Sequence, residues 1–553
     1  MIHAATVPVL NWIFILSPVL CCLFASRTLL HYFQLESYQF PGYFRTLKRN
    51  WKHSLFPGIC AAAGLLMITY LSVLLGLFTT LTLEKMWLLI LFGCIHLALT
   101  AGLGLLIAKL FNAKHAKKKF VITARVKRLY AVHLVVMILI SWLMNRGAAA
   151  SFSASLFSAF YFIWPVFLPL IVALSGLLAW PVEKAISECY FRDARRKLLS
   201  NPGLIRIGLT GSYGKTSVKH ILGTILSEKY PTLITPASYN TPMGVSRAIR
   251  ERLTPSHQIF VSEMGARHVG DIKELCRLVK PTIGIITSVG PQHLETFKTI
   301  ERITNTKYEL IDALPQEGSR SYFYNDGAIC KQLYDKTTKP KVLCGRDPET
   351  SDVWCDNVSV SAEGSSFTLH IKGKGSIDCQ TRLLGEHSLQ NILLASAVAS
   401  DLGLTLRQIS HGISKLQPVK NRLELITRPG GFTIINDAFN SNPIGAKAAL
   451  NVLKAFPERR IIITPGMVEL GANEAEYNRE FGRAMKDCVD IAIIVGKNRV
   501  KPIIEGLKEV GFTDEQIFRA DSLDDSTRLL HTLVRPTDTV LYENDLPDHY
   551  QEA

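Results

Sequence analysis

The sequence predicts an α-helical membrane domain followed by an α/β part, and three observations carry that prediction. Residues 1–180 contain apolar stretches long enough to cross a bilayer. Beyond Trp180, short β-rich runs alternate with helical ones, the pattern of a parallel sheet. One of those runs leads through a glycine turn into Lys215-Thr216 and a helix, the arrangement that holds phosphates. At 553 residues the chain is too long for a single compact core.

The charge is as unevenly spread as the hydropathy. The net charge is +16, yet residues 1–180 hold 15 Lys/Arg against only Glu36 and Glu84, while residues 181–553 hold 47 basic and 44 acidic groups. The excess therefore lies between apolar stretches rather than on a soluble face, so the basic balance does not point to nucleic acid as a partner. The eleven cysteines include no Cys-x-x-Cys, which argues against a zinc site or a disulfide framework and fits a reducing compartment.

Four stretches are long enough to span hydrocarbon: Ala5–Ala25, Leu55–Leu83, Met86–Ala108 and Phe152–Trp180. Leu129–Met144 is a shorter fifth candidate. No basic residue precedes the first stretch and more apolar segments follow it, which favours an uncleaved span over a signal peptide. Segment 26–54 carries five Lys/Arg and segment 109–128 carries eight, against one each in the 84–85 turn and the 145–151 loop. Positive-inside bias then puts the N-terminus outside, the two basic segments in the cytoplasm, and everything after five spans in the cytoplasm too. No acidic residue lies within a span, and His96 and His133 read as packed or interfacial side chains.

After a basic connector (Arg192, Arg195, Arg196, Lys197), Leu204–Thr210 reads as a strand, Gly211-Ser212-Tyr213-Gly214 as a turn, and Lys215 to about Lys229 as a helix. In such a loop backbone N–H groups and the helix N-terminus face an anion, the lysine meets β/γ oxygens, and the threonine reaches Mg²⁺. The strict pattern has glycine where this chain has Leu209, so a chance glycine turn is the alternative. Two further strands, Gln258–Ser262 and Thr282–Ser288, end at Glu263 and shortly before His293. Each alone reads as a solvated loop residue, but at the carboxyl ends of strands beside a phosphate loop they become candidate metal ligands.

These residues resemble the Mur ligase family, and within it the MurF type, over about residues 203–545. Thr210-Gly211-Ser212-Tyr213-Gly214-Lys215-Thr216 is similar to the family's T-G-[ST]-x-G-K-T loop, which accounts for the absent first glycine. Ser238-Tyr239-Asn240-Thr241 resembles the Asn-containing loop, Glu263-Met264-Gly265-Ala266 the segment with the Mg²⁺-binding Glu, and Gln292-His293-Leu294-Glu295-Thr296-Phe297 the segment whose His serves a second Mg²⁺. Lys307 falls where the family carries a carbamylated lysine. Gly385 to Asn391 resembles G-x-H-N-x-x-N, with Ser388 for the first Asn; Asn421-Arg422-Leu423-Glu424 resembles G-R-x-[EQ]; and Asp437-Ala438-Phe439-Asn440-Ser441-Asn442-Pro443 resembles D-x-Y-N-A-N-P. Two segments depart. Pro465-Gly466-Met467-Val468-Glu469-Leu470-Gly471 lacks the Asp of G-D-M-x-E-L-G, and Val540-Leu541-Tyr542-Glu543-Asn544-Asp545-Leu546 loses the two positive charges of V-L-x-K-G-S-R and gains two negative ones.

The resemblance implies a P-loop central Mur ligase domain and an α/β, Rossmann-like C-terminal one. The expected division is a membrane domain (1–180), a basic connector (181–202), a central ATP-binding domain (203–416) with a β-rich insertion near 341–380, and a C-terminal domain (417–553), the spans standing in place of a UDP-binding domain. It implies Lys215, Glu263, His293 and Lys307 as catalytic residues. Thr216, Glu263, His293 and carbamylated Lys307 would hold two Mg²⁺ ions. ATP would be held by Gly211, Ser212, Gly214, Lys215, Thr216, Ser217, Asn391, Arg422, Asp437, Asn440 and Asn442, and substrate met by Asn240 and Thr241. The implied activity is ATP-dependent amide formation between a carboxylate acceptor, a cell-wall precursor or another surface polymer, UDP-linked or lipid-linked, and the amine of an amino acid or dipeptide. The implied setting is a bacterial plasma membrane, with the lipid bilayer as a partner and no nucleic acid. An ATPase driving membrane transport is the alternative from another class.

Overall fold

The computed structural model describes residues 2–74, 86–112, 119–150, 160–361, 363–426, 431–439, 441–497 and 499–546. Parts of the expected spans (75–83 and 152–159), the 84–85 turn, residues 113–118 of the basic loop and Asn440 lie outside them. The chain divides into two units, Met1–Ser187 and Glu188–Ala553.

The first unit is helical: Ile2–Ala25, Arg27–Leu35, Phe40–Arg49, Trp51–Leu74, Met86–Leu110, Ala124–Ala150, and the start of Leu168–Leu199. Among the described residues four helices are long and apolar enough to cross a membrane: Trp51–Ser72, Leu91–Leu110, Ala124–Arg146 and Phe160–Leu199. The fifth candidate from the sequence is thus a full-length helix, because Ala124–Arg128 adds a polar turn at its start that an apolar-run criterion leaves out. The first stretch reaches that status only as the pair Asn11–Ala25 and Arg27–Leu35, bent by 44°. His96 and His133 are buried and bonded to serines of neighbouring helices, Nδ1 of each lying 3.0 Å from Ser72 Oγ and 2.9 Å from Ser175 Oγ respectively. Large apolar side chains of these helices (Leu66, Met67, Leu106, Val135, Leu177, Trp180) are half or more exposed, forming an extended apolar surface. Residues 181–199 of the expected basic connector continue the last helix.

The second unit is built on two sheets. The larger comprises β1 (Ile205–Thr210), β2 (Thr232–Ile234), β3 (Ile259–Glu263), β4 (Ile283–Ile286), β5 (Arg320–Tyr324), β6 (Lys341–Gly345), β7 (Val353–Ser361), β8 (Gly364–Ile371) and β9 (Gly375–Thr381), in the order β2-β3-β1-β4-β5-β6-β7-β8-β9. It is parallel from β2 to β7 and antiparallel through the β7-β8-β9 meander. The β-rich segment 341–380 therefore continues the main sheet, since β6 finds a free edge on β5 and extends it. Helices cover both faces. Lys215–Leu226 and Glu386–Asp401 pack one core with Ile207, Leu222 and Val261, while Asp271–Val279 and Ile300–Asp312 pack the other with Phe260, Leu275 and Ile311. Strand connections diverge on either side of β1, so its carboxyl end is the crevice where ligands enter open α/β sheets.

The smaller sheet has β10 (Glu424–Ile426), β11 (Thr433–Asp437), β12 (Arg460–Thr464), β13 (Ile491–Val495), β14 (Ile517–Ala520) and β15 (Thr539–Glu543), in the order β10-β11-β15-β12-β13-β14. All but the β10 edge are parallel. This is the α/β fold expected of the C-terminal domain. Helices Glu474–Ala484 and Lys501–Glu509 cross closely over it, because a Cβ on Gly506 would sit 2.1 Å from Arg479 O and one on Gly482 2.2 Å from Ile503 O. Gly506→Ala is expected to force the pair apart and destabilise the chain by roughly 1–3 kcal/mol, read as a lower thermal midpoint by circular dichroism.

Candidate active site

The phosphate loop is shaped by what packs against it. Gly214, at φ +76°, caps the helix Lys215–Leu226, and a Cβ there would lie 2.6 Å from Asn391 Oδ1 on the helix Glu386–Asp401. Glycine thus brings Asn391 against the loop. Ser212 is engaged with the next strand's loop: its Oγ donates to Gly290 O (3.0 Å) and accepts from Gly290 N–H (3.1 Å). Tyr213 OH donates to Pro291 O at 2.8 Å. Lys215 folds over the loop, its Nζ donating to Gly211 O (2.7 Å) and Ser212 O (3.0 Å). Burial lowers its pKa to about 8 against the pull of Glu263, and Arg422 adds to the lowering. Ser217 follows in the helix's first turn.

Glu263 ends β3, and the register Leu209↔Glu263 sets it beside the phosphate loop, 1% exposed. Three side chains meet its carboxylate. Thr216 Oγ1 lies 3.1 and 3.3 Å from its two oxygens, Asn240 Nδ2 donates at 3.2 Å, and Lys219 Nζ forms an ion pair at 3.0 Å. Lys219, whose side chain is wholly buried, also donates to Ala237 O at 2.5 Å. Burial raises the Glu263 pKa, but Lys219 and Lys215 overcome it and the net shift is downward. Thr241, read as a substrate contact, spends its hydroxyl on capping the helix Pro242–Arg252, accepting from Gly244 N–H at 3.3 Å.

His293 and Lys307 approach from the neighbouring loop and helix. His293 has φ +53° and its Nδ1 bonds Glu469 Oε2, which comes from the loop after β12. Burial lowers the imidazole pKa, the Glu469 bond opposes it, and Arg267 and Lys215 assist the lowering. Lys307, on Ile300–Asp312, is 2% exposed, and among the described residues no hydrogen bond or ion pair reaches its Nζ. Burial drives its pKa well below the ordinary lysine value, with Lys215 adding to the effect and Asp271 and Glu309 opposing it. Lys215 thus acts electrostatically on Glu263, His293 and Lys307, and the four form one neighbourhood.

The fit to Mg²⁺ differs between the two expected ions. Glu263 and Thr216 supply a carboxylate and a hydroxyl on one side of the phosphate loop, an oxygen set that suits a hard cation with phosphate oxygens completing it. Among the described residues no three His, Cys, Asp or Glu side chains converge as a metal site. A second ion at His293 would need further oxygen donors, which an unmodified Lys307 ammonium cannot offer and a carbamate could. A buried lysine with a depressed pKa is the nucleophile that such a modification requires.

The C-terminal lobe adds a second cluster. The Arg422 guanidinium lies 4.6 Å over the Phe439 ring, and burial lowers its pKa while Asp437 and Glu263 resist. Asp437, at the end of β11, accepts from Leu423 N–H at 3.2 Å and is pushed up to about 6 by burial, with Arg422 opposing. Asn442 caps the helix Pro443–Lys454, accepting from Ile444 N–H (3.1 Å) and Gly445 N–H (2.8 Å). Glu543, 1% exposed at the end of β15, bonds Ser441 Oγ and Thr464 Oγ1 (3.4 Å); burial and then Asp437 push its pKa up to about 8.

Comparison with known proteins agrees with this construction. Residues 209–399 match the Mur ligase middle domain, and residues 421–542 match the Mur ligase, glutamate ligase domain. The UDP-N-acetylmuramoyl-tripeptide–D-alanyl-D-alanine ligase of Escherichia coli (strain K12) is 31% identical over 329 residues, 58% of this chain and 72% of that protein. The chain belongs to the Mur ligase family. The enzyme of the same name from Mycobacterium bovis is 33% identical over 306 residues, where the chain spans 59% of the relative's length. A crystal structure of MurF from Acinetobacter baumannii superposes with a TM-score of 0.58 at 27% identity, covering 65% of this chain and 77% of that one.

Sequence reasoning on this Mur ligase missed two side chains. Lys219 has one signal, its place four residues after Lys215 on the same helix face. Glu469 has only its place as the Glu of the segment resembling G-D-M-x-E-L-G, and the meeting of two lobes is what brings it to His293. Two measurements check the electrostatics. Lys219→Met leaves a buried carboxylate without its cation and is expected to cost about 3–5 kcal/mol of stability, much of it regained when Glu263→Gln is added; thermal melts of the single and double variants decide this. Glu543 has a folded pKa of about 8 above its ordinary 4.5, so the folded chain keeps a proton that the unfolded chain releases. Its contribution is full below pH 4.5 and is lost as pH rises to about 8. Glu543→Gln is expected to flatten that slope, so that the variant gains thermal midpoint over wild type at pH 9 relative to pH 5.

Proposed function

We propose that this chain is a membrane-anchored, ATP-dependent ligase of the MurF type that joins a carboxylate to an amine in peptidoglycan precursor synthesis. The observation that carries the proposal is the gathering of Lys215, Glu263, His293 and Lys307 at the carboxyl ends of β1, β3 and β4, with Arg422 of the other lobe acting on the same lysine. In this reading a substrate carboxylate oxygen attacks the γ-phosphorus of ATP and ADP leaves. The amine, having lost a proton, then attacks the acyl carbon of the acyl-phosphate and inorganic phosphate departs. Lys215 and Arg422 offset charge on the transferring phosphoryl group, a role that is electrostatic and positional. Glu263 with Thr216, and His293 with carbamylated Lys307, would hold Mg²⁺, which when bound supplies further charge neutralisation. Closure of the two lobes excludes water from an intermediate that hydrolyses readily.

The relatives' names supply a soluble acceptor, the UDP-N-acetylmuramoyl tripeptide, with D-alanyl-D-alanine as the amine. The four apolar helices ahead of the ligase domains favour a second reading of the acceptor, presented at the cytoplasmic membrane face and lipid-linked, so that confinement at the bilayer raises its local concentration. The domain division at 180, 202 and 416 and a multi-pass plasma-membrane location with cytoplasmic catalytic domains belong to the same proposal.

The purified chain in detergent, given ATP and Mg²⁺, is offered the soluble UDP-tripeptide or a lipid-linked muropeptide, each with D-alanyl-D-alanine. Phosphate release that depends on the amine is expected, and Lys215→Ala is expected to lower it on the order of a hundredfold or more. Amine-independent phosphate release would favour a transport ATPase and defeat the ligase reading. Efficient product from the soluble acceptor, with no gain from the lipid-linked one, would defeat membrane presentation and leave the spans as an anchor.

A further inference from the structure

The loop Pro465–Gly471 is held rigidly to the C-terminal lobe. Met467 N–H donates to Asn478 Oδ1 at 2.9 Å, Asn478 Nδ2 donates back to Met467 O at 2.9 Å, and Gly466 N–H donates to Thr464 Oγ1 at 3.0 Å. From this loop Glu469 reaches across to the central lobe. One carboxylate oxygen bonds His293 Nδ1, the other lies 3.6 Å from Arg267 Nη2, and Glu469 O accepts from Glu295 N–H at 3.4 Å. Glu469 and His293 both hold the left-handed backbone conformation, φ +65° and +53°, that side chains other than glycine rarely adopt. The bond between them joins two lobes whose link, residues 416–423, contains no helix or strand.

With Nδ1 engaged by a carboxylate, the imidazole's tautomer is fixed and its orientation set. Nε2 is then the remaining nitrogen, and among the described residues none hydrogen-bonds it. A carboxylate on the far nitrogen is how metal-binding histidines are oriented and made more basic. We propose that Glu469 is the positioning residue of His293, supplied by the C-terminal lobe, so that the His293 side of the metal site is completed only when the lobes meet. The proposal rests on the reading of His293 as a metal ligand given under Proposed function.

The test reads ion binding rather than turnover. The full chain in detergent, saturated with β,γ-methylene-ATP, is titrated with Mn²⁺, and bound ion is followed by electron paramagnetic resonance. His293→Ala within twofold of wild type would remove the metal reading of His293, and the proposal with it. Where His293→Ala weakens a binding step, Glu469→Ala is expected to weaken the same step by about 10- to 100-fold. Glu469→Gln, whose amide oxygen still accepts from Nδ1–H, is expected to fall nearer wild type than Glu469→Ala does. Glu469→Leu keeps the side chain's bulk and replaces the alanine variant should that one fail to fold. Glu469→Ala or Glu469→Leu within twofold of wild type, or Glu469→Gln no better than either, overturns the proposal while the reading of His293 stands.

Discussion

The buried Glu263 carboxylate is the group on which the site's geometry depends. A charge taken out of water at the end of a central strand is tolerated only when its oxygens are met. Here they are met by Lys219 and Thr216 from the helix after the phosphate loop and by Asn240 from the following loop. Three segments distant in sequence are therefore fixed to one another through a single side chain. The same bonds hold the Thr216 hydroxyl against the carboxylate, the two oxygen groups that would hold a cation.

Around that anchor the electrostatics favour an anion. Lys215, Lys307 and Arg422 are all buried enough for their pKa values to be pressed downward, and Lys215 and Arg422 act on one another. Cations gathered in a low-dielectric crevice gain from a ligand carrying several negative charges, because its arrival restores the ordinary basicity of each. The protein has arranged these charges beforehand, and in the proposed ligase that arrangement would supply most of the assistance to phosphoryl transfer.

The C-terminal lobe combines the family's α/β architecture with an altered carboxyl edge. Its parallel sheet sets Asp437 and Glu543 side by side through the register Asp437↔Glu543, and burial keeps a proton on the pair near neutral pH. Where the MurF pattern it resembles has lysine, this chain has the Glu543 carboxyl group sheltered by Ser441 and Thr464, with Asn544 Nδ2 donating to Gly466 O. Glu543 is absorbed into a hydrogen-bonded core, whereas Asp545 stays exposed.

The fold class was legible in the sequence because local patterns dictate it. Apolar runs of bilayer length make helices, β-branched runs ending in glycine turns make parallel strands, and Gly214 before Lys215-Thr216 marks the phosphate loop. The lengths of the apolar helices were less legible, since the polar turn Ala124–Arg128 and the helical continuation through 181–199 carry no hydrophobic signal. Glu263, His293 and Lys307 could be named from motifs, but a motif does not state what a side chain touches. That Thr241 and Asn442 cap helices, that Lys219 neutralises Glu263, that segment 341–380 extends the main sheet, and that Glu469 crosses to His293 were decided by tertiary structure alone. Pairings between residues 176 positions apart depend on how lobes and strands pack, and no local preference of either residue encodes them.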